Sequence, residues 1–171
     1  YDLWLELSIL EIRSKKRFII YVHHKWCQPL LLMASVLLLI LTLLREHYVF
    51  NRVPEKDMEN NQFKTSISEM GQWYNIIIKK NNKVIEIRDS LKLLPFSLER
   101  IGKSFNTKHK KLEMEYKGYR YKNCPITLEE KEYIKNDVLV LKEALEIMFD
   151  EGHNSITIGS CCLKEFKSFY D

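Results

Sequence analysis

Cysteine is scarce in this chain and badly spaced for metal. Cys27, Cys124, Cys161 and Cys162 form no C-x-x-C pair. That argues against a structural zinc site. Cys161 and Cys162 are adjacent and poorly placed to bridge each other, so reduced thiols are expected. A strong charge of one sign is also missing. The net charge is only +4 over 171 residues, which leaves any affinity for nucleic acid to a local patch. Internal repeats are absent, and so are low-complexity stretches apart from one leucine run. The chain opens on Tyr1 without an initiator Met or a signal-peptide layout, as expected of a fragment or of a gene product cut at its start.

What is present reads as globular. The composition is 46% hydrophobic and 29% charged, and the length suits one domain with a sizeable core. Apolar residues between Asp2 and Lys16, around Glu6 and Glu11, predict a short amphipathic helix, with Lys15, Lys16 and Arg17 at its C-terminal end. Phe18–Val22 predicts a buried strand, which His23 and His24 end. Tyr74–Lys79 and Lys83–Arg88 are β-rich runs joined by Lys80-Asn81-Asn82, the pattern of a hairpin. Further on, Pro95 breaks the chain before a short helix around Ser97–Lys103. A helix from about Leu128 to Glu151 should stop at Gly152, and Ser160 should cap a last one over Cys161–Phe169.

Pro29 to Leu44 holds sixteen residues without a charge, and the uncharged stretch is nineteen residues when counted from Trp26. Lys25 precedes it and Arg45 follows. On length it is a membrane-span candidate near the minimum. It also fits a buried core helix, which would need apolar partners on every side.

The chemistry concentrates in Thr127-Leu-Glu-Glu-Lys-Glu-Tyr133-Ile-Lys-Asn-Asp137. Thr127 with Glu130 forms a capping box, so a helix starts here. Tyr133 and Asp137 lie four residues apart and share one face of it. A tyrosine hydroxyl beside a metal-holding carboxylate can orient a water for phosphodiester cleavage, although a solvated helix face carries such a pair by chance as well. Lys108, Lys110, Lys111, Lys117, Arg120 and Lys122 interleave with Tyr116, Tyr119 and Tyr121. Cations that follow phosphates and rings that stack on bases suit a single strand, and a solvated basic loop has the same composition.

Tyr-x-x-x-Asp at the head of a helix resembles the third exonuclease motif of family B DNA polymerases, in the protein-primed branch of phages and linear plasmids. Three further stretches are similar to that branch: Phe63 to Tyr74 with Met70-Gly71-Gln72-Trp73-Tyr74, Asp89-Ser90-Leu91-Lys-Leu-Leu-Pro95-Phe96, and Gly159 to Lys167. The resemblance runs from about Met58 to the end. It implies an α/β, ribonuclease H-like exonuclease domain, a mixed sheet with flanking helices, here incomplete with its first strands missing. Residues 1–25 are then a helix–strand remnant, 26–57 a family-unlike apolar segment, and 58–171 the C-terminal part up to the polymerase junction. Loss of family character between about His24 and Asp57 suggests a shifted reading frame, with an inserted membrane helix as the rival. Open sheet edges and poor solubility are expected.

The family's exonuclease holds two divalent cations, Mg2+ or Mn2+, with an Asp and a Glu of a first motif and an Asp from each of two others. Only Asp137 matches here. Tyr133 matches the water-orienting tyrosine, and Lys111 the lysine that assists cleavage. Ser90 and Leu91 match a pair that touches the single strand, and Tyr116 a tyrosine at the primer 3′ end. Terminal protein and deoxynucleotides are partners of the intact polymerases. One carboxylate cannot hold two cations, so the expected function is single-stranded DNA binding without cleavage, in the cytoplasm of a bacterial host. The alternatives are a non-catalytic DNA-binding remnant and a small protein anchored in a membrane through 29–44. Trp73 is expected in the core, and Lys164, Phe166 and Lys167 on a surface helix face.

Overall fold

A computed structural model describes residues 10–13, 17–22, 29–114 and 124–170. Six strands form one mixed sheet in the order β1-β2-β6-β5-β4-β3. They are β1 Leu10–Arg13, β2 Arg17–Val22, β3 Val49–Phe50, β4 Gln62–Ile67, β5 Trp73–Lys80 and β6 Lys83–Asp89. Four helices accompany them: α1 Pro29–Arg45, α2 Leu98–Ser104, α3 Leu128–Asp150 and α4 Ile158–Ser168. β4, β5 and β6 form an antiparallel meander. β2 then runs parallel to β6, pairing Arg17 with Val84 and Val22 with Asp89. β1 lies antiparallel to β2 at one edge, and β3 parallel to β4 at the other.

The pleat sends alternate residues of β6 and β5 to opposite faces. Ile85 and Ile87, with Phe63, Ile76 and Ile78, pack against Val36, Leu39, Ile40 and Leu43 of α1. Trp73 belongs to this cluster and is buried, as its expected core role requires. On the other face Tyr21 and Ile19 meet Val140, Leu141, Ala144, Leu145 and Met148 of α3, together with Leu98 and Ile101 of α2 and Cys161 of α4. The sheet is therefore covered by helices on both sides, which lets strands inside it carry apolar residues on both faces.

The same face holds one polar cluster. Glu86 is 1% exposed and accepts from Arg88 Nε at 2.9 Å and Nη2 at 3.1 Å, from Asn75 Nδ2 at 2.7 Å, and from Arg17 Nη2 at 2.7 Å. Arg88 Nη1 donates onward to the Tyr21 hydroxyl at 3.0 Å and to the Asn154 carbonyl at 3.3 Å. A buried charge is tolerated only when paired and hydrogen-bonded this fully. Burial pushes the Glu86 carboxyl up, but Arg88, Asn75 and Arg17 together outweigh it and hold it below the usual carboxylate range.

Local signals explain several elements. Asn81 and Asn82 both take positive φ, at 50° and 58°, and close the β5–β6 hairpin in two residues. α2 is the short helix predicted after Pro95, and the Ser97 hydroxyl caps it. α3 carries the predicted capping box, with Thr127 N donating to Glu130 Oε2 at 2.8 Å and Glu130 N to Thr127 Oγ1 at 3.2 Å. It ends at Gly152 in a Schellman motif, in which His153 N donates to Met148 O at 2.8 Å and Gly152 N to Phe149 O at 2.9 Å.

Three expectations change. The helix predicted over 2–16 is not what residues 10–13 form; they are strand β1. Leu10 and Ile12 alternate with Glu11 and Arg13, and a neighbouring strand satisfies that period-two backbone where a helix could not. The remainder of that prediction, and His23 and His24, lie outside the described residues. α4 starts earlier than predicted, because Thr157 rather than Ser160 is the cap; Ser160 N donates to Thr157 Oγ1 at 3.1 Å. The apolar segment of 29–44 is the 17-residue α1. One of its sides lies on the sheet while Leu37, Leu38, Leu41 and Leu44 are exposed, so the reading with apolar partners on every side is corrected. Among the described residues no helix is long and apolar enough to cross a membrane.

Candidate functional site

α3 presents Tyr133 and Asp137 one turn apart on the side that faces inward, 7% and 2% exposed. The spacing read from the sequence places both there, because a residue four further along a helix lies nearly above the first. Lys111 joins them from the segment after α2. Its ammonium lies 3.6 Å from Asp137 Oδ2 and 5.5 Å from the centre of the Tyr133 ring. Three of the sequence-predicted residues therefore come together: a ring, a buried carboxylate and a cation. Lys111 balances part of the charge that burial of Asp137 would otherwise make costly.

Sequence reasoning missed the residues that hold Lys111 in place. Thr107 to Lys110 runs along α3 and the C-terminal end of α2. Thr107 Oγ1 donates to Gly102 O at 3.3 Å and Lys110 Nζ to the same oxygen at 2.8 Å. Glu143 Oε2 accepts from Lys108 N at 2.6 Å and His109 N at 3.3 Å, and its Oε1 meets His109 Nδ1 at 2.5 Å. Asn136 Nδ2 donates to Lys110 O. Burial pushes the Glu143 carboxyl up, yet the His109 ring and the two amides overcome this and hold it below the usual range. Asn136 and Glu143 are seven residues apart, two turns on one stripe, and that repeat is the only trace of the arrangement in the sequence.

Ser90 and Leu91 sit in a 3-10 turn, Ser90–Lys92, at the end of β6. The Ser90 side chain is fully buried, and its hydroxyl donates to Val22 O at 2.8 Å. It ties the ends of β2 and β6 together. Asp89 Oδ1 caps the turn by accepting from Leu91 N at 3.0 Å. What the turn offers outward is Leu91, half-buried, and Lys92, whose ammonium lies 5.2 Å from the Tyr74 ring centre and donates to Gln72 Oε1 at 3.1 Å. Tyr116, Lys117, Tyr119, Arg120, Tyr121 and Lys122 lie outside the described residues. Lys164, Phe166 and Lys167 are on exposed positions of α4.

Among the described residues no group of three His, Cys, Asp or Glu converges as a metal site. A cleft of about 570 Å³ is lined by Gly152, His153, Cys161, Lys164 and Glu165. It lies at the far end of α3, about 20 Å along the helix from Asp137, and does not belong to this constellation.

Residues 46–129 match the family model for DNA polymerase type B, organellar and viral, beginning ahead of Met58. The DNA polymerases of Bacillus phages B103 and phi29 are each 44% identical to this chain over 112 residues, which is 63% of the chain. The chain spans about 20% of the length of those relatives. Phi29 DNA polymerase complexed with primer-template DNA and incoming nucleotide is similar in structure, with a TM-score of 0.65 and 38% identity over 80% of this chain and 24% of that one. The same polymerase complexed with single-stranded DNA matches with a TM-score of 0.61 and 38% identity, over 75% of this chain and 24% of that one.

Proposed function

This chain is related over 112 residues to phi29-like, protein-primed family B DNA polymerases, and on that premise we propose that it is part of their 3′–5′ exonuclease domain and binds single-stranded DNA. A mixed sheet with helices on both faces is compatible with a ribonuclease H-like unit. The observation that carries the reading is the meeting of Lys111, Tyr133 and Asp137. In that role the Lys111 ammonium takes a phosphate of the strand, and in the intact domain the Tyr133 hydroxyl would orient a water. The Leu91 turn supports the strand, with Ser90 contributing through the fold of that turn, and Tyr116 meets the primer 3′ end.

Mg2+ or Mn2+ would supply charge neutralisation and an activated water in the intact domain. Asp137 would be one ligand for it. Among the described residues no group of three or more such ligands converges there, so they do not fit a two-cation centre. The function proposed for the chain is strand binding. Terminal protein, deoxynucleotides and the primer terminus are partners of the longer polymerase, acting in the cytoplasm of a phage-infected bacterial host.

Anisotropy of a labelled oligothymidylate tests this. The expected result is binding that weakens as salt rises, with a log–log slope that falls by about 0.7 in Lys111→Ala. Salt-independent binding, or none, would end the reading. A Mg2+ titration that produces cleavage, lost in Asp137→Ala, would instead restore a working nuclease.

A further inference from the structure

The segment that carries Lys111 is fastened to α3 two and three residues earlier, at His109 and Lys108. Glu143 projects from α3, and its carboxylate is 19% exposed. It receives two successive backbone amides, Lys108 and His109, on one oxygen and the His109 ring on the other. Two turns earlier on the same stripe, Asn136 donates to the Lys110 carbonyl. The segment thus runs antiparallel to α3, from Glu143 down to Tyr133. Its next residue is Lys111, which meets Tyr133 and Asp137 there. Glu143 touches none of these three side chains in any contact described above.

We propose that Glu143 is a positioning residue: it clamps residues 108–109 to α3 and so holds the Lys111 ammonium over Tyr133 and against Asp137. The clamp favours strand binding by ordering Lys111 before the strand arrives, which reduces the freedom lost on association. The proposal deepens the single-strand reading and rests on it only for the DNA arm of its test.

Two measurements on the full chain decide it. Reductive methylation with 13C-formaldehyde labels the lysines, and Lys111→Arg assigns the Lys111 resonance. In the wild type that resonance should be displaced by the Tyr133 ring current. In Glu143→Ala it should move to the position of an exposed lysine, while the far-ultraviolet spectrum stays the same. Oligothymidylate affinity should fall about five-fold in Glu143→Ala and in Lys111→Ala alike. The double variant should lose no more than either single one, because both changes remove the same contact. A Lys111 resonance unmoved in folded Glu143→Ala overturns the proposal, as do additive losses. If Glu143→Ala does not fold, His109→Gln removes the ring contact alone and should shift the resonance part of the way; no shift overturns the proposal. A wild type that binds no oligonucleotide ends the DNA reading, and the resonance still decides the clamp.

Discussion

Lys111 and Asp137, 26 residues apart in the chain, form an ion pair at 3.6 Å in which the Asp137 side chain is almost wholly buried and the Lys111 side chain about a quarter exposed. The partial exposure keeps the cation available to an outside anion. It also makes the pair weaker than a fully desolvated one.

Replacing Lys111 by Met keeps the apolar stem beside Tyr133 and removes the charge. Asp137 then keeps its burial without that cation. The expected loss of stability at neutral pH is about 1–3 kcal/mol, read from urea unfolding. A Lys111→Met protein as stable as wild type would show that the pair contributes nothing to the fold.

Acid should loosen the sheet through Glu86. Its folded pKa lies below the ordinary value of 4.5, with burial opposed by Arg88, Asn75 and Arg17. A carboxyl depressed in this way stabilises fully above its unfolded pKa, and the benefit is lost as pH falls through the folded one. Melting temperature should therefore drop below about pH 4.5. In Glu86→Gln that limb should be shallower and the neutral-pH value lower, since Arg88 loses its charged partner. Glu143, depressed by His109 and two amides against its own burial, adds to the same window.

Leu141 is fully buried between the sheet and α3's neighbours. Leu141→Ala should cost about 2–5 kcal/mol, measured by the denaturant midpoint with an unchanged slope.

Gly152 holds φ at +85°, and a Cβ built there meets nothing within 4 Å. Gly152→Ala should thus cost only the backbone penalty of the left-handed region, about 1–2 kcal/mol. Gly152→Asn should cost less. Equal melting temperatures for Ala and wild type would remove the Schellman argument for the end of α3.

Signals confined to a few residues were readable in the chain. The capping box at Thr127 and Glu130, the Asn81-Asn82 turn and the Gly152 stop all depend on atoms within five residues of each other. So does the Tyr133–Asp137 face. The role of α1 was not readable, because sixteen uncharged residues look alike to a bilayer and to a sheet of isoleucines. β1 was misread because its alternation was weighed as helical. His109, Asn136 and Glu143 are ordinary polar residues in the sequence. Only a fold that brings a segment near residue 109 against one near 143 gives them a task. Their partners lie 26 to 35 positions away, beyond any local pattern.

The hydrogen bond from Ser90 to Val22 spans 68 residues. Parallel neighbours such as β2 and β6 cannot be joined by a tight turn, so the whole stretch carrying α1 and β3–β5 must be gathered before they pair. Closing such a loop is slow compared with forming the β5–β6 hairpin or the capped start of α3. The two ends of the candidate site therefore have different histories during folding. The α3 end, with Tyr133 and Asp137, can take shape early, whereas the Leu91 turn is completed only when the distant strand arrives.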